Sequence, residues 1–194
     1  MQTIRTANHW SSRAIGAMIF TGFGALWFLL GLYVHQQLTA AGVAWIAGAV
    51  LALAAVCTHV LRRAEPAPAS ANDAKRSRTF HVINAAQWIA IFIVLTILRR
   101  LHLDAYSLGA IAAIVGLHLF PLARLFRNAL HYATGTALIA WAACVSLLAP
   151  VDTMQGITAL GAGTILWLSA AVTMAMALYA LRGAARFEEQ PRIA

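Results

Sequence analysis

The side chains capable of chemistry gather in two short stretches. Gly116–His131 (GLHLFPLARLFRNALH) carries two imidazoles, two guanidiniums and a proline where one apolar run gives way to the next. Upstream, His81, Asn84 and Gln87 recur at every third position. On a helix that spacing keeps the three within a wedge of about 120° on one face, with Trp88 beside them. Imidazoles titrate near neutrality and ligate metals, guanidiniums hold anions, and amides need partners wherever water is excluded. Carboxylates are missing from both stretches: Glu65, Asp73, Asp104, Asp152, Glu188 and Glu189 all fall between or after the apolar runs. Pumps driven by protons or sodium rely on an acid inside the membrane, so secondary active transport loses support. The chain has no His-Glu-x-x-His, P-loop, nucleophile elbow, Cys-x-x-Cys or pair of catalytic carboxylates.

The elements that must position these groups are membrane spans. The 194 residues are 61% hydrophobic and 10% charged, with a mean hydropathy of +0.75, well outside the range of soluble domains. Six apolar runs approach the length of about 20 residues that a helix needs to cross a bilayer. They are Ala14–Val34, Val43–Leu61, Phe80–Leu98, Tyr106–Leu122, Ala129–Ala149 and Gly156–Leu181. Their apolarity is continuous, whereas barrel strands would alternate. The expected fold is therefore all-α: a single transmembrane domain over residues 1–194, built as a six-helix bundle. The first run follows Arg5, His9 and Arg13 but is too long for a signal-peptide core, so it is expected to be an uncleaved anchor. The fourth run is short and the sixth long, which implies unequal tilts.

The net charge of +8 does not indicate nucleic acid, because the basic residues punctuate the apolar runs. With the N-terminus inside, twelve of the fourteen lysines and arginines lie on the inner side, Arg99 and Arg100 being the exceptions. This predicts cytoplasmic N- and C-termini, and the Ala, Arg and Trp usage suits a bacterial inner membrane. The segment 62–79 reads as a cytoplasmic linker, since Pro66, Pro68, Ser70 and Asn72 oppose a helix. Cys57 and Cys144 lie at different depths and are not expected to pair.

Small residues predict where spans touch. Ala44, Gly48 and Ala52 form one ladder, and Gly109, Ala112, Ala113 and Gly116 another. Gly22, Gly24, Gly161 and Gly163 mark further crossings. His118 lies opposite the Gly109–Gly116 face, and Pro121 just beyond it predicts a kink or a helix terminus.

Depth then relates the histidines. His59, His81, His118 and His131 all fall within about one helical turn of the inner boundary. Asn84 and Gln87 reach deeper, and the stripe above them turns apolar at Ile91 and Leu95. This describes a cytoplasm-facing vestibule and not a through-pore. Its ligand-binding residues are expected to be His81, Asn84, Gln87, His118, Arg124 and His131, with Arg124 as the anion contact. The leading expectation is binding or translocation of a small solute or lipid headgroup, with no cofactor and no metal. One alternative is a membrane redox protein in which His59–His118 or His81–His131 ligates haem. The other is a structural subunit whose small-residue faces meet a partner. Expected partners are the bilayer, a small solute or anionic lipid, and a second copy of the chain.

The run from Gly116 to Tyr132, together with Asn84 and Gln87 one span upstream, resembles small bacterial multi-spanning membrane proteins of unknown function. In these a Gly-x-His-x-x-Pro stretch precedes a short aromatic and basic turn. The resemblance covers about Asn84 to Gly135. It implies a fold of about six spans and no particular activity.

Overall fold

The computed structural model describes the backbone of residues 2–63 and 73–188, and the side chains of 13–63 and 74–183. Among these, six α-helices follow one another: α1 (Gln2–Val34), α2 (Ala40–Arg63), α3 (Asp73–Arg100), α4 (Ser107–Phe126), α5 (Ala129–Leu148) and α6 (Val151–Glu188). A single 3₁₀ turn, Asp104–Tyr106, leads into α4. All six are long and apolar enough to cross a membrane, and the protein is an all-α, multi-pass bundle.

Lipid chains are as apolar as leucine, so helices in a bilayer associate through close packing and buried hydrogen bonds. The two main interfaces show both devices. Where α1 crosses α6, Trp167 fills the notch left by Gly24, and its Nε1 donates to the Thr21 carbonyl at 3.0 Å. Where α4 crosses α5, Gly116 and Gly135 meet backbone to backbone: a Cβ on either would lie 2.7 or 2.6 Å from the other's carbonyl oxygen. The hydroxyls of Thr134 and Ser169, 2.7 Å apart, join α5 to α6. Around this four-helix centre, α2 packs on α1 and α6, and α3 packs on α4. Only 6% of the most apolar stretch of α3 is buried, against 39% in α4, so α3 stands at the periphery with most of its surface toward lipid.

Several expectations change. Pro121 does not end its helix: α4 runs on to Phe126 and stops at Arg127, whose φ of 50° makes a left-handed cap. The amides of Arg127 and Asn128 return to the Ala123 carbonyl, closing the helix end six residues beyond Pro121. The linker is shorter than expected, because helical structure begins at Asp73 and takes in Lys75, Arg76 and Arg78. The linker prolines lie outside the described residues. The ladder of Ala44, Gly48 and Ala52 faces outward, and a Cβ on Gly48 would meet nothing. Gly22 is likewise unused. Cys57 and Cys144 are both free, one buried and one exposed.

Candidate functional site

A cavity of about 1150 Å³ lies between α1, α3, α4 and α5, with Leu166 of α6 at its back. Its charged lining falls toward one end of the bundle, and Asn84 and Gln87 reach farther in. Arg13 comes from α1; Arg76, Asn84 and Gln87 from α3; His118 from α4; Arg127 and Asn128 from the turn; and His131 from α5. No aspartate or glutamate lines it among the described residues. Farther in, the walls are apolar: Phe23, Trp27, Trp88 and Leu119 among others. Along α1 the lining runs from Arg13 to Trp27, about 20 Å at 1.5 Å per residue.

The Gly-x-His spacing explains how α4 serves two neighbours. Residues two apart on a helix point about 200° away from each other. Gly116 therefore meets α5 while His118 turns into the cavity, where its Nδ1 is buried with no hydrogen-bond partner among the described residues. Opposition to the packing face, which weakens His118 as a core residue, is what makes it a cavity residue.

His131 is held more tightly. It is 9% exposed, with the rings of Phe20 and Phe126 at 5.3 and 6.4 Å. Asn128 caps α5: its side-chain oxygen accepts the Leu130 N–H at 3.2 Å. That contact fixes which way the amide points, so Nδ2 donates to Nδ1 of His131, also at 3.2 Å. A ring nitrogen that accepts is unprotonated, so the neutral ring carries its proton on Nε2. Arg13 and His118 are near enough to act on this ring electrostatically. Around the mouth the Arg76 guanidinium lies 5.1 Å above the Phe126 ring, and Phe80 meets Phe126 edge-on at 5.9 Å. Replacing Asn128 with Ala is expected to cost about 1 kcal/mol through the lost cap. It also frees the His131 tautomer. Asn128→Asp retains the cap oxygen and loses the amide donor. Thermal unfolding of both variants in detergent separates the cap from the histidine contact: the Asp variant should retain most of the stability that the Ala variant loses.

Of the residues expected from sequence, Asn84, Gln87, His118 and His131 converge on this cavity. His81 does not line it; the side chain is exposed, with its ring 5.8 Å from Phe80. Arg124 is also outside, exposed beside a shallower groove with Thr79, Pro121 and Tyr132. Arg13, Arg76, Arg127 and Asn128 belong to the cavity and were not expected there. Arg13 and Arg76 carry the topology signal as well, and Asn128 just ahead of an apolar run is a recognisable helix-cap signature. His59 is exposed and away from the cavity, so neither histidine pair considered for haem shares it. Among the described residues, no group of three His, Cys, Asp or Glu side chains is placed to hold a metal ion.

Fold and site together define a multi-pass helical membrane protein with an internal cavity that is basic at one end and apolar at the other. The chain matches no family model, no curated protein and no solved structure.

Proposed function

We propose that this is a bacterial inner-membrane protein that binds a small solute or lipid headgroup in the cavity, from the cytoplasmic side. The observation that carries the reading is the cavity itself: arginine, histidine and amide groups from four helices and a turn line it, and no acid among the described residues opposes them. Pockets of about 300–1,000 Å³, mostly apolar with a few convergent polar groups, are the usual form of small-molecule sites. The orientation rests on the basic residues. Arg62, Arg63, Lys75, Arg78, Arg124 and Arg182 accompany Arg13, Arg76 and Arg127 at the same end of the bundle, where the positive-inside rule puts the cytoplasm. An even number of crossings then brings both termini to that side.

Gly16 offers a clean test. It lines the cavity, and a Cβ there would meet nothing within 4 Å. Gly16→Trp should therefore plug the space without disturbing helix packing. Purified protein in an uncharged detergent is screened for thermal stabilisation by anionic solutes and lipids. Stabilisation of the parent protein that disappears in Gly16→Trp supports the reading. Equal stabilisation of both proteins, or of neither, overturns it.

A further inference from the structure

We infer that the occupant is an acidic membrane lipid, which enters the cavity sideways between α1 and α3. This rests on the cavity being the binding site. Its phosphate sits among Arg76, Arg127 and the Nε2–H of His131, and an acyl chain runs inward past Phe23 and Trp88.

Three observations carry the assignment. The first is the opening. α1 packs on α2 and α6, while α3 packs on α4, and between α1 and α3 the described residues make no extensive contact. Ile15 on α1 and Trp88 on α3 line the cavity and yet are 53% and 62% exposed. A cavity sealed from the bilayer would bury such side chains; here its wall runs on into the lipid-facing surface.

The second is the charge. The mouth gathers guanidiniums from three elements and presents a histidine N–H, with no acid among the described lining residues. Guanidiniums hold phosphate through paired, charge-assisted hydrogen bonds. Placing them at the headgroup level costs little, because cations near a span end reach the interface.

The third is the division along the axis. A soluble anion would satisfy the mouth and leave the region around Phe23, Trp27, Trp88 and Leu166 facing nothing apolar. From Arg76 to Trp88 the lining covers about 18 Å of α3, close to the roughly 15 Å from headgroup to midplane in one leaflet. An amphiphile with one anionic head and a leaflet-length chain matches both parts. A soluble phosphate matches only the first.

The test uses the full chain in an uncharged detergent, examined by native mass spectrometry with added phosphatidylglycerol or chain-matched phosphatidylcholine. One phosphatidylglycerol per chain should be retained in preference to phosphatidylcholine. The double variant Arg76→Gln/Arg127→Gln should weaken that retention by about tenfold or more. Trp27 supplies a check that needs no charge variant. It lines the cavity and is only 8% exposed, so a brominated acyl chain quenches its fluorescence only from inside. Brominated phosphatidylglycerol should quench the parent protein more than Trp27→Phe, beyond the annular quenching the two share. Equal retention of phosphatidylcholine, or equal quenching in both proteins, overturns the lipid assignment. Inorganic phosphate or glycerol phosphate stabilising the parent but not Gly16→Trp, with no phosphatidylglycerol retained, overturns the lipid and leaves the cavity as a soluble-anion site. No discrimination against Gly16→Trp by any of these probes overturns both.

Discussion

Gly116→Leu is expected to be among the most destabilising single substitutions in this chain. A Cβ at Gly116 would stand 2.7 Å from the Gly135 carbonyl oxygen and as close to the Ile139 side chain. That Ile139 atom is Cγ1, held by the stiff χ1 of a β-branched residue in a helix, and the carbonyl belongs to a helix backbone, so neither turns away easily. The clash is relieved only by moving α4 off α5, which also lengthens the Gly109 contact near Ser146. Overpacking of this kind costs about 1–3 kcal/mol, and a backbone-to-backbone crossing belongs at the upper end. Thermal unfolding in detergent, followed by circular dichroism, should show a clear fall in midpoint. Gly48→Leu is the matched control. Its added side chain meets nothing and faces the bilayer, so its midpoint should hold. If both variants unfold like the parent, Gly116 is not the contact the geometry makes it.

Trp167→Ala is expected to be nearly as severe, for the opposite reason. Trp167 is 9% exposed, sits in the Gly24 notch and stacks near Phe28 at 4.6 Å and Trp45 at 5.5 Å. Truncation removes those contacts, strands the hydrogen bond to the Thr21 carbonyl and leaves a void between α1, α2 and α6. Large-to-small changes of Trp in soluble cores cost about 3–5 kcal/mol. In a bilayer the transfer part of that figure shrinks, because lipid is no less apolar than the core. The packing part remains, so the expected loss is about 3 kcal/mol, at the low end of that range. Trp167→Phe retains much of the ring and drops the donor. Comparing the two by detergent unfolding apportions the loss between packing and the hydrogen bond. A mild Ala variant would show that α1 and α6 are held together elsewhere.

How far the sequence disclosed this molecule depended on which property each residue advertises. Spans are long-range averages of apolarity, so the six helices were legible within a few residues at most ends. Helix faces follow from angle alone, which is why Asn84, Gln87, His118 and His131 can be grouped from sequence and line one cavity. Which neighbour a face meets is not a property of the face. The Ala44–Gly48–Ala52 ladder looks like the Gly109–Gly116 one, yet only the latter has a helix against it. The arginines are hard to read for a similar reason. Positive charge at span ends is required for topology, and that demand hides a second use of Arg13, Arg76 and Arg127 in the cavity. His81 shares a wedge with Asn84 and Gln87, but stands nearer the helix end, and its ring settles beside Phe80. Pro121 misled because its lost donor reads as a stop, whereas lipid-embedded helices tolerate proline when neighbours support them.

The pairing of α1 with α6 has a consequence for how the protein is made. The two helices are separated by four others, yet the Gly24–Trp167 notch and the Gly163–Phe28 contact belong to their shared interface. When α1 leaves the ribosome, its eventual main partner has not been synthesised, and α2 must shelter it in the meantime. This interface closes only when α6 reaches α1, so assembly of the bundle waits for α6. A nascent chain stalled before α6 would leave Trp27 and the glycine face of α1 bare in the bilayer, a ready mark for the proteases that clear unfinished membrane proteins.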